Sequence, residues 1–488
     1  ARTPLSEAQR LSSEIFGTAL SCYVTNGTST SNKAMLMTLL KPGEVVFVDR
    51  NCHKSVHHAI VMSGAVPHYL PSHWNARLGV WGPVKLADIA RELDALPVLP
   101  KLLVLTTCTY EGVLYPVWEV ARLCEQRGIL FYADEAWAAY LNFHPYYTHG
   151  DAAAGTIRRY NAVNGYSGAH FAVQSTHKTM AAFSQASMIH VSTGFKKLLE
   201  EDTSPQFRWL RRRFALHGHG SYEKFVHDLR EMLRYWHSTS PHYPFLATLD
   251  IAGIQMRLEG MKLLEERLRW VAMFRARVAA DCGRPESDIF ATLDEIAGGP
   301  EWEEAGYSKD PLKMMLMLKS AAACQTFRKA LRKARIQWEK ASSTTILFLV
   351  TIGTQEENFE DLLRVCRLHR DLIGRPEAVD EPKPTVNDAV AAQPVVLPHI
   401  AALCDGELVT LAESVGRIAS QFLVPYPPGI PVFLPGLRIT DEMVRLVEEV
   451  IASEGSNAVH GLFCRGEHAP YYVEVLNRDE ERRYVHRP

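Results

Sequence analysis

The chain has 488 residues, too many for one compact core, so two or three domains are expected. Its 47% apolar and 22% charged residues are ordinary for a globular protein, and a net charge of -2 speaks against a nucleic-acid partner. Nine cysteines fall singly, with no CxxC pair, so neither a disulfide framework nor a metal site is suggested; with no membrane-length apolar run and no signal-peptide pattern, the cytoplasm is the expected location.

A first helix is predicted where Thr3 can cap and Pro4 sits in the opening turn, with Leu5, Ala8, Leu11, Ile15 and Ala19 at helical spacing. Strands are then expected at 22–24, 45–48, 66–70, 102–105, 129–132, 171–173 and 188–191, and helices fill the gaps, as at 32–40 and 117–127. This alternation predicts an α/β fold with a mostly parallel sheet covered by helices, whose ligands sit beyond the carboxyl ends of the strands. Residues 195–234, with WLRRR at 209–213, read as charged, mostly solvated helix. A large domain is expected over 1–258, a small α/β subdomain over 259–375 and a C-terminal α/β domain over 376–488. The Pro- and Ala-rich stretch 375–398 reads as a linker, and PYPPGIPVFLPG (425–436) demands extended and turn geometry.

Four strand ends hold candidate chemistry. Gly27, Thr28 and Ser29 lead from the first strand into a helix, where free N–H groups and hydroxyls suit a phosphate or simply cap the helix. His53 follows the second strand, able to lie against a flat ligand or to rest in its loop. Asp134, at the end of the strand near 129–132, needs a cationic partner such as a protonated pyridine, a basic side chain or a metal. Ser175, His177 and Lys178 follow the strand at 171–173; a buried lysine there would be a nucleophile, an exposed one a loop residue. One ligand accounts for all four: pyridoxal phosphate needs an amine for its aldehyde, an acid for its ring nitrogen, a phosphate cradle and a flat contact. Cradle, histidine, aspartate and lysine also fall in the chain order of fold-type-I enzymes using that cofactor.

The segments VTNGTSTSNK (24–33), VDRNCHKSVHHA (48–59), TYEGVLY (109–115), ADEAWAAY (133–140), STHKTMAAFSQASMIHV (175–191), TSPHY (239–243) and PYPPGIP (425–431) resemble the bacterial-type ornithine/lysine/arginine decarboxylases over nearly the whole chain. The resemblance implies a fold-type-I enzyme with a family-specific C-terminal domain, releasing CO2 and an amine from a basic amino acid, as in polyamine biosynthesis. It implies that Lys178 holds the cofactor as a Schiff base, with His177 beside it as a proton donor. It places Asp134 on the ring nitrogen, His53 over the ring, Trp137 at the pocket wall, and Thr28, Ser29 and Ser175 on the phosphate. Thr239 and Ser240 are expected to reach the phosphate of a neighbouring subunit, which implies a homodimer or larger homo-oligomer. Glu339, in WEKASSTTILFLVTIG, is the expected partner of the substrate's cationic tail.

There are departures. The family's Pro-Gly-His-Lys segment and the wing domain of its large members are expected to lie outside this sequence, and the decamer of those members is not expected. Residues 196–225 read as an insertion, and Leu437 stands where a glutamate is usual. Glu135 in DEAW favours arginine over lysine or ornithine, whose enzymes tend to carry serine there. Aminotransfer, β-elimination and a non-catalytic regulatory role are the competing expectations.

Overall fold

The computed structural model describes residues 3–72, 74–75, 77–148, 159–163, 168–215, 220–376, 392–464 and 470–485. The expected linker lies largely at 377–391, outside the described residues.

The first helix, α1 (Pro4–Phe16), begins as expected, with Thr3 and Ser6 exchanging side-chain-to-backbone bonds. There follow β1 (Leu20–Val24), α2 (Gly27–Leu39), β2 (Val45–Asp49), α3 (Lys54–Ser63), β3 (Val66–Leu70), β4 (Leu102–Leu105), α4 (Val117–Arg127), β5 (Leu130–Asp134), β6 (Phe171–Gln174) and β7 (Ser187–Val191). These seven strands form one sheet in the order β1-β7-β6-β5-β4-β2-β3. The pairs β2–β3, β2–β4, β4–β5 and β5–β6 are parallel, whereas β7 runs antiparallel to both β1 and β6. Alternate residues face opposite sides. Phe47, Leu103, Phe131, Ala133 and Met188 enter one core, and Val46, Val48, Val104, Tyr132, Phe171 and Ile189 enter the other.

Two local expectations need correction. The helix expected at 32–40 starts at Gly27, so the small-residue run is its first turn rather than a loop before it. The stretch from 195 is not mostly solvated: α5 (Thr193–Glu200), α6 (Arg208–Arg213) and α7 (Ser221–Trp236) bury Phe195, Leu199, Leu210, Phe225 and Leu229 in the second core, together with Phe207 and Phe214 at the two ends of α6. The arginines of WLRRR masked this in the sequence, because one apolar residue per turn is enough to seat so short a helix.

Helix α8 (Tyr243–Cys282) is 40 residues long and runs continuously through position 258/259. Beyond it β8 (Lys313–Met317), β9 (Lys340–Ala341) and β10 (Thr345–Leu349) form a small sheet in the order β8-β10-β9. It packs into the first core. The C-terminal region contributes β11 (Gly406–Thr410), α9 (Asp441–Glu454), β12 (Phe463–Cys464) and β13 (Tyr471–Leu476), with the strands in the order β11-β13-β12. Through Leu423, Ile430, Val432, Phe433 and Leu437 it joins the second core. Among the described residues no helix is long and apolar enough to cross a membrane.

Candidate active site

The carboxyl ends of β2, β5 and β6 and the start of α2 converge. Asp134 is the last residue of β5 and is 2% exposed. Its Oδ2 accepts from Asn32 Nδ2 at 3.0 Å and its Oδ1 from the backbone N–H of Ala136 at 3.0 Å. Burial raises its pKa, and among the described residues it forms no ion pair.

Asn32, on the buried side of α2, is the hub. Its Oδ1 accepts from the Tyr132 hydroxyl at 2.7 Å, and its Nδ2 also donates to Ser55 Oγ at 2.9 Å. Ser55 Oγ then bonds His53 Nδ1 at 2.8 Å, while the Ser55 backbone N–H donates to the same nitrogen at 3.2 Å. With Nδ1 an acceptor, the proton of a neutral ring lies on Nε2. Burial, and after it the charge of Lys178, pushes the His53 pKa down to about 3, so the imidazole is neutral. His53 and Asp134 are thus two ends of one hydrogen-bonded chain.

Lys178 lies in the single turn Thr176–Thr179 that follows β6. Its Nζ stands 3.9 Å from the centre of the Trp137 ring. Burial brings its pKa down to about 8, although Asp134 and Glu339 act in the opposite direction. An amine so placed is neutral in about one molecule in ten at pH 7, far more often than an ordinary lysine, and the neutral form is the nucleophile. The neighbouring His177 donates from Nδ1 to the Ala186 carbonyl at 2.8 Å, which leaves Nε2 as the acceptor nitrogen of the neutral ring.

The expected cradle also assembles. Gly27 opens α2 at φ +76°, a conformation open to glycine. Thr28 Oγ1 lies 2.6 Å from Ser175 Oγ, although 147 residues separate them in sequence. Asn26 makes no side-chain cap, so the first N–H groups of α2 are left for another acceptor, and Ser29 is exposed beside them. The hydroxyl of Thr176 is buried with no hydrogen-bond partner among the described residues. Glu339 Oε1 accepts from the Tyr110 hydroxyl at 2.5 Å, and the Tyr110 ring meets Trp137 edge-on at 4.9 Å. Thr239 and Ser240 are exposed between α7 and α8, and no described bond joins them to this group.

Two features escaped the sequence reading. The Asn32–Ser55 link joins neighbouring polar residues on two helices, and only the tertiary fold shows that they face one another. The second is a charged cluster where the small sheet meets the large one. Lys313 Nζ lies 2.8 Å from Asp310 Oδ2 with both side chains at most 1% exposed, and it also bonds Cys108 Sγ and Tyr140. It donates to the Trp137 carbonyl at 3.0 Å, so it braces the loop that faces Lys178. A lysine opening the apolar run KMMLML was the available signal. Glu135, adjacent to Asp134, turns away from the site: it accepts from the Ala162 N–H at 2.6 Å and from Gln174 Nε2 at 2.9 Å, and burial raises its pKa to about 7.

This donor set fits pyridoxal phosphate. The buried Asp134 carboxylate, with no ion pair among the described residues, could pair with a ring cation; the Thr28 and Ser175 hydroxyls and the start of α2 could hold a phosphate; and the Lys178 amine could take an aldehyde. The class is that of fold-type-I pyridoxal-phosphate enzymes. The profile of the Orn/Lys/Arg decarboxylase major domain matches residues 2–358, and that of the family's C-terminal domain matches 384–477. The chain therefore belongs to the Orn/Lys/Arg decarboxylase family, as a pyridoxal-phosphate-dependent decarboxylase of a basic amino acid.

It is 29% identical to lysine decarboxylase LdcA of Pseudomonas aeruginosa, covering 94% of this chain and 69% of that one. It is 27% identical to an arginine decarboxylase of Bacillus subtilis, covering 91% and 80%. The solved structure of lysine decarboxylase A from Pseudomonas aeruginosa superposes with a TM-score of 0.73 at 26% identity, covering 98% of this chain and 72% of that one.

Proposed function

We propose that this chain decarboxylates arginine in preference to lysine and ornithine, with Lys178 as the residue that holds the cofactor. The observation behind the site assignment is the convergence of a depressed Lys178 amine, an unpaired buried Asp134 and the Thr28–Ser175 pair at the same strand ends. The cofactor, when bound, supplies an electron sink for the pair released as the bond to the carboxylate breaks.

The protein's own part is positioning and proton control. Asp134, oriented by Asn32 and the Ala136 N–H, holds the ring nitrogen protonated. Neutral His53 covers the ring without adding a competing charge. Gly27, Thr28, Ser29, Ser175 and the start of α2 hold the phosphate. Trp137 shields the Lys178 amine from water, and Lys178 or His177 returns a proton to the α-carbon. Glu339, held by Tyr110, pairs with the cationic tail of the substrate.

The preference for arginine rests on the likeness of DEAW, with Glu135, to the arginine enzymes of the family; the Glu135 carboxylate itself bonds the Ala162 N–H and Gln174 Nε2 rather than facing the site. Relatives named lysine decarboxylase and arginine decarboxylase match the chain at 29% and 27% identity, so substrate choice is the point to test. Rates of CO2 release from carboxyl-labelled arginine, lysine and ornithine decide it: the highest kcat/KM for arginine supports the proposal, and a higher value for either of the others overturns it.

The active unit we infer is a homodimer, in which exposed Thr239 and Ser240 serve the partner's phosphate site. The cofactor domain in this reading extends to about residue 258, the small subdomain to 375, and the family's C-terminal domain follows.

A further inference from the structure

We propose that the C-terminal region sets the position of His53, and that Gly429, in PYPPGIP, is the positioning residue. The proposal rests on the reading of His53 as the cover of the cofactor ring.

Three contacts bring the segment to the site. The Lys54 backbone N–H donates to the Gly429 carbonyl at 2.9 Å, immediately after His53. Arg50, three residues before His53, donates from Nη1 to the Pro431 carbonyl at 2.6 Å and from Nη2 to the Val432 carbonyl at 2.8 Å. Its guanidinium is 1% exposed and forms no ion pair among the described residues, so these carbonyls are its compensation for a costly burial. The two ends of the short segment 50–54 are therefore both fastened to the C-terminal region.

The third contact is the approach of Gly429 itself. It has φ +89°, and a Cβ added there would lie 3.0 Å from His53 Cδ2, 3.1 Å from His53 Nε2 and 3.1 Å from Tyr426 Cδ2. A side chain there would be strained by the positive φ and would press on the imidazole, which would have to give by a few tenths of an ångström. Ser55 holds the imidazole at Nδ1, and Gly429 bounds its opposite Nε2–Cδ2 edge. A ring fastened at one edge and walled at the other has one orientation. The C-terminal region is on this account part of the cofactor site, through the backbone of its PYPPGIP segment.

The experiment is a double-mutant cycle on apoenzyme titrated with pyridoxal phosphate, reading the dissociation constant and the absorbance maximum of the bound cofactor. His53→Ala and Gly429→Ala are each expected to weaken binding about tenfold, the scale of a lost ring contact, and to shift the maximum. The double variant is expected to be no weaker than the poorer single one, since both changes act through one ring. If the losses multiply, or if folded Gly429→Ala binds and absorbs like the parent, the proposal falls. If Gly429→Ala does not fold, Arg50→Met takes its place in the same cycle, with the same two outcomes. Parent-like binding by His53→Ala would instead remove the reading of His53 on which the proposal stands.

Discussion

The Lys178 amine stands 3.9 Å from the centre of the Trp137 ring. Lys313, from the small sheet, fixes the Trp137 carbonyl, so the environment of the reactive amine is set jointly by two parts of the chain. An aromatic face attracts a cation, but burial opposes it and wins, leaving the amine at about 8.

Cofactor uptake by the apoprotein should follow that value. The rate of absorbance growth after adding pyridoxal phosphate is expected to rise about tenfold per pH unit below pH 8 and to level off above it, since the neutral amine attacks. A rate still rising steeply beyond pH 9.5 would mean an exposed, unperturbed lysine.

Asp134→Asn should have opposite effects with and without cofactor. Burial raises the Asp134 pKa above its unfolded value, so the ionised form costs the folded apoprotein stability once pH exceeds the ordinary carboxylate range. Removing that charge is expected to leave the apoprotein Tm equal or higher at pH 7. The gain in Tm on adding cofactor should shrink, and kcat should fall about 10²–10³-fold, as for loss of a preorganised electrostatic partner. Thermal scans with and without cofactor, beside steady-state rates, check both arms.

The pattern of what was legible follows from the same physics. A parallel sheet places candidate ligand residues just past its strands, so Lys178, Asp134, His53, Thr28 and Ser175 stand out as a set that one ligand accounts for, although each alone has an ordinary structural reading. The role of the hub residue Asn32, within VTNGTSTSNK, is not legible in the sequence, because a polar residue inside a helix shows its partners only when the helices are docked. The burial of Phe195, Phe207 and Phe214 was hidden by the arginines between them. The approach of Gly429 to His53 depends on a C-terminal region far away in sequence, and no local pattern reports it.

Lys313→Met should destabilise the protein by about 3–5 kcal/mol, because it takes from the buried Asp310 its hydrogen-bonded cation and leaves the Tyr140 and Tyr147 hydroxyls, the Leu312 N–H and the charge of Lys309. Adding Asp310→Asn is expected to recover much of that loss. Urea midpoints for the single and double variants measure it; equal midpoints for parent and Lys313→Met would show that the pair contributes nothing.

Mixing two inactive variants tests the shared site. Lys178→Ala and the double variant Thr239→Ala/Ser240→Ala should regain roughly a quarter of parental activity when unfolded and refolded together, because half the dimers are mixed and each has one intact site. No recovery in verified mixed dimers would place Thr239 and Ser240 outside the partner's site.

The most direct measurement is borohydride reduction of the cofactor-loaded protein, followed by peptide mass mapping. The account predicts one pyridoxyl group per chain, on the peptide containing Lys178. A group on another lysine, the buried Lys313 or Lys309 included, or no group in a protein that nevertheless releases CO2, would contradict it.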